Sequence, residues 1–167
     1  VGMSQALIRV PSAKNKLLEQ VLERINKNEE IVALWNILNV NAIDRMGMSD
    51  HGPIHFQIVA NIALRLMRIL EKHKVEMSIV KDFKLTQDHA EVVVVLASVL
   101  HDLGMSIHRV DHETYSLFLA NALLREILDF LPVNERTIVI SETLHAIISH
   151  RSGGRPLTKE AGIVRIA

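Results

Sequence analysis

From residue 12 onward, the apolar positions of the chain recur with helical spacing. Leu17, Leu18, Val21, Leu22 and Ile25 form one stripe, with Ser12 as the expected N-cap. Ile31, Leu34, Trp35, Leu38 and Ala42 form a second, over residues 29–46, and Gly47 suits its C-terminal stop. Gly52 and Pro53 read as the opening of a third helix, because proline is tolerated at the first helical position. Its expected inward stripe is Ile54, Ile58, Ile62, Leu66 and Ile69, ending near Lys72. Residues 73–85 have weak periodicity and suggest a loop with one short helix. Thr86 is then expected to cap a helix through Leu100. The valines at 92–95 favour a strand by composition, but the apolar pattern outruns strand length and stops at Leu103 and Gly104, so helix is the expectation. Asp111 is placed as the cap of the next helix, with Tyr115, Leu119, Leu123 and Ile127 inward until Leu131 and Pro132. Asn134 is the expected cap of a helix reaching His150, before Ser152, Gly153 and Gly154, and Thr158 starts the last one. No repeat or low-complexity tract interrupts this order. The pattern predicts a compact, all-α, single-domain bundle over residues 1–167, with N-terminal helices at 12–47.

Composition narrows the function classes. Nineteen Lys and Arg balance nineteen Asp and Glu, so no net charge favours nucleic acid or an acidic membrane surface. Cysteine is absent, which removes disulfides, thiolate metal sites and a cysteine nucleophile and fits a cytoplasmic location. The longest apolar run, 92–100, is shorter than the ~18 residues of a bilayer span, and no secretory layout opens the chain. The chain begins at Val1 rather than methionine, which fits a trimmed N-terminus.

The nine histidines matter by placement. His55 lies one turn before Ile58 and Val59, which turns it toward the core. His101 closes the valine helix and Asp102 follows at once. His112 opens the next helix, while His145 and His150 lie at the end of the one after. A buried imidazole with its own hydrogen-bond partner is the plain reading of any one of them. Five together favour a shared partner, because an unpartnered buried polar group costs on the order of 1–3 kcal/mol. A divalent cation serves several at once. Imidazole and carboxylate together suit Mn, Fe, Co, Ni or Zn, with Mg also accommodated. A carboxylate also bridges two ions about 3.5–4 Å apart, and such a pair lowers the pKa of a shared water and clamps a phosphoryl group. His73 and His89 lack such company and are expected at the surface.

At these residues the chain resembles the HD superfamily of metal-dependent phosphohydrolases. "HFQIVA" (55–60) resembles the first histidine element, "LASVLHDLGM" (96–105) the His-Asp doublet, and "DHETYSLFLA" (111–120) the extra histidine of two-metal members. "HAIISHRSGGRPLT" (145–158) is similar to the histidine-rich turn before a Gly-rich loop. "EAGIVRIA" (160–167) is similar to the helix whose next residue is a final ligating aspartate. The likeness covers residues 51–167, an HD-like core.

The resemblance implies that His55, His101 and Asp102 hold a first metal, with His101 and Asp102 at the catalytic centre. It implies that His112, His145 and His150, with Asp102 bridging, hold a second. His145 and His150 are five apart, about 140° around a helix axis, so both ligate only where the helix ends before His150. With the final aspartate beyond Ala167, either the chain is an ordered fragment or the first metal has lost a ligand. His51, four before His55, is a candidate for an additional metal, or a loop histidine that fixes the turn. Arg109, Arg151, Arg155 and Lys159 are candidate phosphate-binding cations; solvated loop cations are the alternative. Glu113 either orients His112 or serves the helix dipole. The expected activity is hydrolysis of a phosphomonoester or phosphodiester of a nucleotide or related small molecule, with one or two divalent ions. The alternatives are a catalytically silent HD regulatory or interaction module and a di-iron oxygenase. Nucleic acid and membrane are not expected as partners, and pairing into a homodimer stays open. No glycine-rich dinucleotide or P-loop motif is present.

Overall fold

The computed structural model describes residues 8–151 and 153–167; Ser152, placed above in the loop after His150, lies outside the described residues. Eight α-helices follow in order among them: α1 (Lys16–Lys27), α2 (Glu29–Val40), α3 (Pro53–Lys72), α4 (Ser78–Phe83), α5 (Gln87–Leu100), α6 (His112–Ile127), α7 (Val133–Ser149) and α8 (Lys159–Ile166). A π-helical turn (Asn41–Arg45) extends α2, and a 3-10 turn (Leu103–Ser106) follows α5. No strand occurs among the described residues, so the expected all-α class is what the chain forms.

α5 is the axis of the molecule. Its twelve residues from His89 to Leu100 are all buried, and α3, α7, α1, α8 and α4 pack around it. Gln87–Ser106 matches a bilayer span by length and hydropathy alone, yet 94% of that apolar window lies inside the bundle. Its apolarity belongs to a core helix. Thr86 caps α5 as expected, but through a capping box whose other half is His89. His89 is therefore not the surface residue the sequence suggested: it is 8% exposed and its Nε2 also lies 3.1 Å from Glu135.

Caps shift where a better partner exists. Asn15, not Ser12, caps α1: its Oδ1 accepts from the Leu18 N–H, while its Nδ2 donates to Glu91 on α5. That side chain both starts α1 and ties it to the axis. Asn134 lies inside α7, which begins after Pro132. Asp111 holds the N-cap position of α6 but in the left-handed region, with no side-chain cap bond. Gly47 does end the α2 extension, at φ +65°, where a residue without Cβ carries no steric cost.

α3 turns a different face inward than the expected stripe, and α6 does so over its first half, while its expected Leu123 and Ile127 are buried. On α3 the buried residues are Phe56, Val59, Ala60, Ala63, Leu64 and Met67. Ile54, Ile58, Ile62 and Ile69 are exposed, Ile54 at 68%, and Leu66 is half-buried. On α6 the buried set is Ser116, Ala120, Leu123, Leu124 and Ile127, with Tyr115 and Leu119 only half-buried. The cause is common to both. Small side chains let a helix approach its neighbour's backbone, so the face carrying Ala60 and Ala63, or Ser116 and Ala120, is the one that seats.

One buried group answers to pH. Glu160 is fully buried; its Oε1 accepts from the Ser78 N–H, and its Oε2 has no partner among the described residues. Burial pushes its pKa up, with Asp82 adding to the rise, and burial beside Glu160 pushes Glu142 up as well. The folded state thus holds the proton more tightly than the unfolded chain. The stability this contributes is full below the ordinary value of 4.5 and is lost as pH rises through the folded value. Glu160→Gln is expected to raise stability above pH 6 by on the order of 1 kcal/mol and to flatten its decline with pH, read by urea unfolding at pH 5 and pH 8. On α3, Phe56→Ala is expected to cost about 3–5 kcal/mol and Ile58→Ser less than about 0.5 kcal/mol; equal losses would mean that the isoleucine stripe is the seated face.

Candidate metal centre

The end of α5 delivers His101 and Asp102 to the 3-10 turn, both nearly inaccessible at 3% and 6% exposed. Their placement depends on a buried hydroxyl. Ser116 Oγ accepts from the Gly104 N–H at 2.8 Å and lies 2.8 Å from the carbonyls of His101 and His112. One side chain thus joins the end of α5, the 3-10 turn and the first turn of α6. Gly104 permits the approach: a Cβ there would sit 1.9 Å from the His112 carbonyl oxygen. From the opposite side the Asn41 amide donates to the carbonyls of Met105 and Ser106 at 2.9 and 3.1 Å. Sequence reasoning missed Ser116 and Asn41. The available signal was Ser116 one turn after His112 on the same helix face.

The imidazoles then converge. His101 Nδ1 donates to the Ser98 carbonyl at 2.8 Å, and its Nε2 lies 3.3 Å from Asp102 Oδ2. His112 Nδ1 donates to the Arg109 carbonyl at 2.9 Å, and its Nε2 lies 3.2 Å from Asp102 Oδ1. Both rings spend one nitrogen on a backbone carbonyl and aim the other at a different oxygen of one carboxylate. His55 joins from α3: ligand atoms of His55, His101 and Asp102 all lie within 4.8 Å of one another. Ligands 2.0–2.2 Å from an ion stand roughly 3–4.4 Å apart, so this trio needs little adjustment to share an ion. The His150 ring sits edge-on to His101 with centroids 4.6 Å apart, and its Nδ1 is buried without a hydrogen-bond partner among the described residues. The His51 ring lies 5.6 Å from that of His55, with its Nδ1 donating to the Ser49 carbonyl.

Electrostatics follow the geometry. Burial opposes ionisation of Asp102, but His101 and His112 overcome it and hold the carboxyl well below its usual range. Burial would depress His101, yet Asp102 and the Ser98 carbonyl outweigh it and its pKa is raised. His112 is raised first by its bond to Asp102. His55 and His150 are lowered by burial, so near neutral pH they present lone pairs.

A cavity of about 310 Å³ opens onto this cluster, lined by His51, His55, His101, Asp102, Arg109, His112 and His150 with Met48, Val59, Met105 and Ala167. Seven of the eleven sequence-derived candidates thus meet in one place. Four do not. His145 Nε2 accepts from the Leu157 N–H at 3.0 Å, which commits it to the loop before α8. Lys159 Nζ donates to the Glu76 carbonyl at 2.6 Å. Arg151 and Arg155 are exposed and do not line the cavity. Two larger cavities, about 520 and 510 Å³, adjoin Pro11 and Arg68. The first is walled partly by the Arg68–Glu91 ion pair, and neither is lined by a histidine; the histidine cluster opens onto the smaller one.

The chain is 36% identical over 150 residues to the "Uncharacterized protein MJ1020" of Methanocaldococcus jannaschii, a match covering 89% of this chain and 58% of that protein. The chain thus spans less than two-thirds of this relative's length, and the relative's name assigns no activity. No protein-family model and no solved structure matches the chain.

Gly104→Ala is expected to force the 3-10 turn away from α6 and to open the His112–Asp102 contact. Far-ultraviolet circular dichroism should remain helical while thermal stability falls by several degrees. An unchanged melting temperature would show that the close approach is dispensable.

Proposed function

We propose that this protein is a metal-dependent phosphohydrolase of the HD type, acting on a phosphomonoester or phosphodiester of a nucleotide or related small molecule. One observation carries the reading: the two oxygens of Asp102 face two different imidazoles, each oriented by a backbone carbonyl. A ligating histidine typically donates its other ring N–H to such a carbonyl, and a carboxylate turned both ways is suited to bridging two ions. His55, His101 and Asp102 would hold one ion, and Asp102, His112 and His150 another. His150 supports the fit independently, since its buried Nδ1 lacks, among the described residues, the partner such a group normally has. His51 stands at the cavity wall as the additional ligand the resemblance allows.

Bound divalent ions at this position would polarise phosphoryl oxygens and acidify a water. The chain supplies the rest. Asp102 and the imidazoles fix the cage, and the low exposure of His101 and Asp102 limits competing water. Arg109, an exposed cation on the wall, offers a planar fork to phosphate oxygens. α8 brings Ala167 to the cavity, where the resemblance expects a further aspartate to follow.

Asp102→Ala is expected to lower bound metal to background in elemental analysis of the purified protein. It should also abolish release of phosphate from a panel of phosphomonoesters and phosphodiesters, with helical content retained. Metal retained at the wild-type level in that variant would overturn the assignment.

A further inference from the structure

A second cavity, of about 280 Å³, lies beside the first and is lined by Asn41, Arg45, Met46, Ile107, His108 and Arg109. Arg109 lines both. We propose that this second cavity receives the organic half of the phosphate ester and selects a planar ring there. The inference rests on the phosphohydrolase reading for the other half of the ligand.

Three observations carry it. The first is the composition of the walls. Met46 and Ile107 expose 37% and 49% of their surface, so apolar area stands open on a cavity flanked by two guanidiniums. A planar ring suits that pairing, because a guanidinium stacks on ring faces and a thioether packs against ring edges. The second is the framing. The Asn41 amide is tied to the Met105 and Ser106 carbonyls, and its Oδ1 accepts from Arg45 at 2.8 Å. One side chain in the π-helical turn therefore places Arg45 and holds the turn that follows Asp102. Asn41 thus links a wall of the second cavity to the turn beside the histidine cluster. Insertions of this π type recur at functional sites. The third is size: the histidine cavity, at about 310 Å³, stands at the lower edge of the roughly 300–1,000 Å³ of small-molecule sites, and its neighbour adds about 280 Å³. With Arg109 between them, a phosphate in the histidine cavity and a ring in its neighbour would share one cation.

The test compares adenosine 5′-monophosphate with ribose 5-phosphate, which keeps the phosphate and lacks the ring, by calorimetry on the Mn-loaded protein. The wild type is expected to bind the nucleotide about tenfold more tightly. Met46→Ala/Ile107→Ala should remove that preference and leave ribose 5-phosphate binding within about twofold. Arg45→Gln should weaken the nucleotide alone. Ring-dependent binding without hydrolysis of either ester would support the pocket and count against the hydrolase reading. Equal affinities for the two ligands in the wild type, or variants that weaken both alike, would overturn the pocket, and hydrolysis of both esters at equal kcat/KM would do the same while leaving the hydrolase reading intact.

Discussion

The site depends on keeping one carboxylate charged where water barely reaches. Asp102 is 6% exposed, and an isolated ionised carboxyl there would cost several kcal/mol in lost hydration. Its two imidazole neighbours make the charge tolerable by facing its two oxygens separately. The arrangement has a direction. Because Ser98 and Arg109 carbonyls occupy Nδ1 of His101 and His112, each ring can offer only Nε2 inward. Backbone oxygens, placed by the ends of α5 and the start of α6, thereby decide which nitrogen meets the carboxylate.

That direction is only as good as the backbone that sets it. α5 cannot tilt, since it is buried on every side from His89 to Leu100. The turn beyond it is held from two sides, by Ser116 on α6 and by Asn41 at the end of α2. Both are neutral polar groups within an apolar core, satisfied by backbone partners. Such networks fix geometry more than they add net stability, because a hydrogen bond in the fold largely replaces one to water. Their value here is positional. The Trp35 indole N–H, bonded to the Val99 carbonyl, adds a further tether between α2 and the end of α5.

Element type and order were legible in the sequence because periodicity is a long-range average: eight helices, the short α4 within 73–85, and the valine run as helix all follow from it. Facing was less legible. For α3 the isoleucine stripe and the Phe56–Ala60–Ala63–Met67 stripe have equally good spacing, and the larger side chains pointed to the wrong one. The deciding quantity was the distance between helix axes, which small residues permit and hydropathy does not register. On α6 the expected stripe held at Leu123 and Ile127 but not at Tyr115 and Leu119, where Ser116 and Ala120 are the buried residues. At the site, the doublet with His55 and His112 was readable because chemistry and order coincide there. The cations of the 151–159 loop were not, because their directions are set by contacts such as Lys159 with Glu76 that no local pattern encodes.

His145 shows why spacing alone could not separate a ligand from a scaffold histidine. Its Nε2 accepts the Leu157 N–H, so the ring proton sits on Nδ1, as it does in His101 and His112. The difference lies in what stands opposite Nε2. In those two Nε2 faces the Asp102 carboxylate, which raises the pKa of both rings; in His145 the Nε2 lone pair is used up by a backbone amide twelve residues on. That bond still serves the site indirectly. It pins Leu157 just before Thr158 caps α8, while Arg165 on α8 reaches back to the Ser149 carbonyl. Together they fix the path of α8, whose far end brings Ala167 to the cavity. An imidazole that sequence order placed in the cage acts instead as part of the frame that aims the last helix at it.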